Sequence, residues 1–254
     1  MISKDKPGAK LPPSDPFFGM IQEAYRLFAV PKPTVTDVCD CCMDKKIERD
    51  FFRPPIEELP VAYVQDWYSA AYDPAGVSKQ NWSYLLPRLL EILAASGDVC
   101  TFSLEVTLGR FDTGNPASWS PEQWNVLDRF QRAYLRRAIE DGPDCIDDVL
   151  CMFRLGGWPL IGLLDQLAAM PTATLAERFW KDWCKDHAVG RESVWITAFW
   201  EGADNSAVYE FYTSPESHHR FSALALAEGT DSEVQKWAFA VATVIENEAN
   251  WITS

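Results

Sequence analysis

The tightest grouping of chemically able side chains in this sequence is Cys39-x-Cys41-Cys42. Thiolates ligate zinc, but a structural zinc site takes four ligands, often paired about two to four residues apart. No downstream Cys/His pair has a matching spacing, and Cys145 or Cys151 could complete a set only through the fold. Ordinary buried or partly buried thiols are therefore expected here, with no metal and no cofactor. Cys184 and His187 stand three apart on an expected helix and can share a face. A thiol nucleophile also needs a group that orients its base, and Asp186 points to another side of that helix. His218 and His219 are adjacent and diverge by about 100° on a helix, a poor chelating geometry. The sequence holds no GxGxxG, no phosphate-binding P-loop, no HExxH and no GxSxG elbow. No catalytic residue is assigned, and the chain is not expected to be an enzyme. The alternative is an enzyme or metal-dependent protein whose Cys/His site, drawn from these cysteines and His187, is assembled only by the fold.

Charge says more than motifs do. With 37 acids against 23 bases, the net charge is −14. Such a field repels nucleic-acid phosphates and anionic membranes, so an electrostatically steered partner should be basic. Glu140, Asp141, Asp144, Asp147 and Asp148 concentrate acids with no base among them, and they are the candidate partner-binding residues. A solvated helix junction explains the same run, since Asp144, Asp147 and Asp148 would favour a helix N-terminus. Asp37, Asp40, Asp44, Glu57 and Glu58 form a looser group, offset by Lys45, Lys46, Arg49 and Arg53. Arg129, Arg132, Arg136 and Arg137 run along the segment before the dense acids and should pair with nearby carboxylates.

Helices must position all of these groups. The chain is 47% hydrophobic and has eleven Trp, too apolar for disorder. Residues 1–13 read as a flexible N-terminal arm and 14–254 as a single helical domain, with a subdivision conceivable near 112–119. Ser14-Asp15-Pro16 looks like a helix start. Trp82, Leu85, Leu86, Leu89, Leu90 and Leu93 mark a buried helix face, within which Pro87 should kink the helix or mark its beginning. Ser120-x-x-Gln123, Thr174-x-x-Glu177 and Thr230-x-x-Glu233 match the capping-box pattern. Shorter helices are expected over 144–155, 159–169, 204–213 and 215–227. Val194–Trp200 is the clearest strand candidate, though its length does not separate a strand from a buried helix. Nothing alternates helix and strand as a doubly wound sheet demands. The expected fold is all-α, an irregular antiparallel helical array of which a HEAT-like arrangement is one form.

The cysteine cluster, the aromatic helix after it and Trp82-Ser83-Tyr84-Leu85-Leu86-Pro87-Arg88-Leu89-Leu90-Glu91 resemble a family of uncharacterised bacterial proteins. There a Cys-containing segment precedes a similar Leu-Pro-Arg-x-Leu-Glu stretch. The resemblance spans roughly residues 30 to 140 and implies a bacterial setting; it transfers no functional residue.

The opening Met1-Ile2-Ser3-Lys4-Asp5-Lys6-Pro7 has no apolar stretch of the secretory kind, and no run approaches a membrane span. The odd set of seven cysteines then reads as reduced thiols in a cytoplasm. Together these features lead to a non-enzymatic acidic helical protein that binds a basic protein, an immunity protein neutralising a toxin being one form. A helical scaffold that binds peptides is a further alternative.

Overall fold

A single helix organises the first half of the chain. In α4 (Lys79–Ala94) every residue from Asn81 to Ala94 is buried, polar Asn81, Ser83, Arg88 and Glu91 included, where the apolar pattern predicts one buried face. Ser78 caps it, its Oγ accepting from Asn81 N, and the helix runs through Pro87 rather than starting there. The structure is a computed structural model, and it describes residues 6–39, 41–71, 76–185, 187 and 191–248. Among these residues the elements are all helical, as the periodicities predict.

Two compact units divide the chain. The first comprises residues 1–134 with 152–158, and the second 135–151 with 159–254. The sequence reads residues 14–254 as one helical domain with a subdivision conceivable near 112–119; no boundary between the two units falls at 112–119. That stretch is tied inside the first unit instead, where Gly114 N donates to Gly156 O at 2.6 Å. A Cβ on Gly114 would run into the Trp158 backbone, so this crossing of two chain segments requires glycine.

The first unit contains α1 (Phe18–Leu27), α2 (Lys45–Asp50), α3 (Val61–Ser69), α4 and the start of α5 (Pro121–Asp141). Its core is a run of aromatics: Phe28 against Trp119, Trp119 against Phe111, Phe111 against Trp82, and Trp82 against Trp67. Buried indoles need a partner for N–H, and the three of this run each find one, though Trp158 Nε1 in the same unit has none among the described residues. Trp67 donates to Thr36 O, Trp82 to Thr113 Oγ1 and Trp119 to Thr113 O. Ser120 and Gln123 form the predicted reciprocal cap of α5, with Gln123 N donating to Ser120 Oγ and Ser120 N to Gln123 Oε1.

The flexible arm expected over 1–13 is not what residues 7–11 form. Pro7, Gly8 and Ala9 present their carbonyls to the Arg88 guanidinium, and Leu11 is buried. Buried Arg88 needs acceptors, and the arm supplies them.

The second unit holds the end of α5, most of the start of α6 (Ile146–Leu155), α7 (Leu160–Ala168), α8 (Thr172–Trp183), α9 (Gly202–Thr213), α10 (Pro215–Leu226) and α11 (Ser232–Glu248). α11 packs on α8 and α10. Phe179 stacks on Trp183 at 4.3 Å and meets Tyr212 and Phe221 edge-on. Two expected caps are displaced. Thr174 lies inside α8, which starts at Thr172 after Pro171. Asp231, not Thr230, caps α11 by accepting from Glu233 N. Residues 194–200 form neither strand nor helix. They are an irregular segment held by side chains, described below.

Candidate functional site

In the first unit, the segment before α2 is fastened to its surroundings residue by residue. Asn81 Nδ2 donates to Val35 O, Trp67 Nε1 to Thr36 O, and Ser78 N to Asp37 Oδ2. Asp37 sits at φ 57°, a left-handed conformation that acidic and amide side chains tolerate better than most. Burial pushes the Asp37 carboxyl up, but hydrogen bonds from Ser78 and Asn81 together outweigh it and hold the carboxyl below its ordinary range. Cys39 N then donates to Ala71 O at 2.7 Å, and Cys42 N closes a turn onto Cys39 O at 3.0 Å. Asp44 ends the segment by capping α2, accepting from Lys46 N and Ile47 N.

This turn brings Cys39, Cys41 and Cys42 together, with all three sulfurs within 4.8 Å of one another. Cys39 and Cys41 are joined as a disulfide, with Cα atoms 5.4 Å apart, where the sequence reading expected reduced thiols. Cys42 stays free and exposed, its sulfur 3.7 Å from that of Cys41. No fourth His, Cys, Asp or Glu joins this group among the described residues; Asp40 lies outside them. A cleft of about 880 Å³ opens beside the segment, lined from Pro33 to Val38 and again by Lys45, Glu48, Arg49, Phe52 and Arg53.

The second unit holds the acids singled out from the sequence, and it separates them. Asp147 is only 1% exposed. It accepts from Thr197 N at 2.7 Å, Trp200 Nε1 at 2.8 Å and Tyr212 Oη at 3.0 Å. It is an internal clasp for the 194–200 segment and offers nothing to a partner. Burial, reinforced by the Asp147 charge, pushes the Tyr212 hydroxyl well above its ordinary range, so Tyr212 donates at any neutral pH. Glu140 and Asp141 are exposed on the last turn of α5. Asp144 and Asp148 are half-buried, and Asp148 accepts from the indole of Trp195 at 3.3 Å. Trp195 itself is 46% exposed.

Between these acids lies a buried brace. Arg178 donates to both oxygens of Asp182 and to Gly142 O at 2.8 Å. Asp182 also accepts from Ile146 N. Burial pushes the Asp182 carboxyl up, and Arg178 and the Ile146 amide oppose that push. The brace thus ties α8 to the end of α5 and the start of α6. A cleft of about 520 Å³ opens here, lined by Cys145, Asp148, Arg178, Lys181, Asp182, Lys185 and Trp195 among others. Its basic lining is partly engaged, since Lys181 pairs with Glu177 at 2.8 Å.

The remaining candidates are chemically quiet. Burial, helped by Asp182, drives the Cys145 thiol far above its ordinary range. Burial and Glu192 push Cys184 to about 11. A thiol held protonated is a poor nucleophile. His187 is exposed, and Asp186 lies outside the described residues. His218 lies 3.3 Å from Ser222 Oγ while His219 is exposed. The Asp147 clasp and the Arg178 brace escaped sequence reasoning. Their only signal was a carboxylate or guanidinium falling on an otherwise apolar helical face.

Among the described residues no helix is long and apolar enough to cross a membrane. No family model, no curated protein and no solved structure matches the chain.

Proposed function

We propose that this chain is a non-enzymatic binding protein for a basic protein partner, engaged in part through Glu140, Asp141, Asp144 and Asp148. The observation that carries the reading is the placement of Glu140 and Asp141. Both are exposed on the last turn of α5, the end of a helix dipole where carboxylates are disfavoured. Among the described residues neither enters an ion pair, although Arg136 and Arg137 lie one turn earlier. They serve the fold little, and in a chain of net charge −14 they add to a field that speeds encounter with cations. Trp195, half-exposed and hydrogen-bonded to Asp148, supplies the aromatic anchor that binding surfaces favour.

Neutralisation of a basic toxin is the finer form of this reading: a negative surface covers a cationic active site. A cytoplasmic setting is part of this reading; Cys42, Cys100, Cys145, Cys151 and Cys184 lie outside any disulfide and favour it, while the Cys39–Cys41 disulfide weighs against it. The test is capture from the native host at low and high salt, with wild type beside an E140Q/D141N/D144N variant, followed by reconstitution with the purified partner. The expected result is a basic protein whose binding weakens with salt and with the variant. Failure to retain any basic protein, or equal retention by the variant, overturns the reading.

A further inference from the structure

We infer that Cys39, Cys41 and Cys42, once the disulfide is reduced, form an open three-thiolate site for a soft, thiophilic d10 cation of the Zn2+ or Cu+ class. This site is independent of the acidic surface proposed above and lies in the other unit.

Three observations carry it. The first is the convergence of all three sulfurs within 4.8 Å, in a chain whose Cys145, Cys151 and Cys184 stand apart as buried or half-buried thiols outside any disulfide. The second is distance. Metal–thiolate bonds of about 2.3 Å at tetrahedral angles place neighbouring sulfurs about 3.8 Å apart. The Cys41 and Cys42 sulfurs lie 3.7 Å apart, so these two need no backbone movement to share an ion. The third is preorganisation. Backbone bonds from Cys39 N to Ala71 O and from Cys42 N to Cys39 O fix the turn, while Trp67, Ser78 and Asn81 hold the chain entering it. Hydrogen bonds within the protein thus set the turn.

The site differs from a structural zinc knot. Cys41 and Cys42 are exposed and Cys39 half-buried, and no fourth side chain closes the group among the described residues. An ion held here keeps a coordination position for water or an incoming ligand, as open zinc sites do, or sits trigonally as a soft monovalent ion. Oxidation state gates the site. A phosphine or dithiol reductant delivers two electrons to the Cys39–Cys41 bond, and two protons, from water with the phosphine or from the dithiol itself, complete two thiols. A phosphine leaves as its oxide with the water oxygen, and a dithiol leaves as its own disulfide. Binding the cation then releases the three thiol protons.

The test uses the full chain, reduced with a phosphine and freed of it without air. One arm is titrated with Zn2+ and the other with Cu+, each against a chromophoric competitor. The expected result is about one equivalent bound in at least one arm. C39S, C41S or C42S should weaken binding by more than about tenfold, a loss that even outer-shell defects reach. Oxidised protein should bind no better than these variants. A second readout avoids reliance on variants: in wild type, the ion should protect Cys39, Cys41 and Cys42 from alkylation, mapped by peptide mass. Binding in neither arm, or alkylation of Cys42 at an unchanged rate with the ion present, overturns the inference.

Discussion

Arg88 Nη1 lies 2.6 Å from Glu91 Oε2, one turn further along α4, and both side chains are buried. The guanidinium also donates to Leu59 O, Ala9 O, Pro7 O and Gly8 O. Glu91 accepts in addition from Lys10 and Tyr25. The Leu-Pro-Arg-x-Leu-Glu stretch is therefore a fastening device, a buried pair whose spare donors hold the chain before α1.

Removing one member of a buried pair strands the other charge, at a cost of about 3–5 kcal/mol. R88A should lower stability by about that amount in urea denaturation, and limited proteolysis should then cut near residues 7–11 in protein that is still mostly folded. If residues 7–11 stay protected in R88A, the fastening role is wrong.

The helical class was legible because α4, α5 and α11 carry long apolar periodicities and short turn signals separate them. Local chemistry was legible where partner and signal were adjacent, as at Ser120 and Gln123. It failed where a neighbour supplied a better group: Asp231 is one residue closer to α11 than Thr230 and took the cap. Acidity alone could not distinguish Asp147 from Asp148. Helical phase puts one inward and the next outward, and only the indole and phenol of Trp200 and Tyr212 show why an inward carboxylate is stable. The cysteine turn was visible as a cluster. Its closure depends on Ala71, Trp67 and Asn81, which sequence spacing cannot bring together.

Asp147 provides the second prediction. D147A leaves three buried donors unsatisfied, each at about 1–3 kcal/mol, and the loss should concentrate in the second unit. Hydrogen exchange at Thr197 N should accelerate, and Trp200 emission should shift red as its surroundings wet. D147N keeps an acceptor oxygen and should cost less. Neither substitution should touch partner binding by contact, because the carboxylate never reaches the surface.

Alkaline pH should loosen the second unit in a defined direction. Cys184 ionises near 9 when solvated but only at about 11 in the fold, and Cys145 is raised in the same sense. For such groups the unfolded chain releases protons first, so their stabilising share is intact below pH 9 and is lost as pH climbs through the folded value. A thermal melt series from pH 8 to 11 should fall less steeply in a C145S/C184S variant than in wild type, provided both fold at pH 7. At neutral pH these two thiols should resist iodoacetamide while exposed Cys42 reacts, an order that peptide mapping reads directly.

Surface carboxylates kept for a partner should be nearly silent in the isolated protein. E140Q/D141N changes exposed groups that form no ion pair among the described residues, so stability should move by less than about 0.5 kcal/mol. Association with a basic partner should slow markedly at low salt and converge with wild type as salt rises, because lost rim charges act mainly on the encounter rate. The two measurements separate the alternatives. A large stability change would make these acids part of the helix junction, an unchanged association rate would remove them from the interface, and only silence in the first with slowing in the second leaves the carboxylates with a partner to attract.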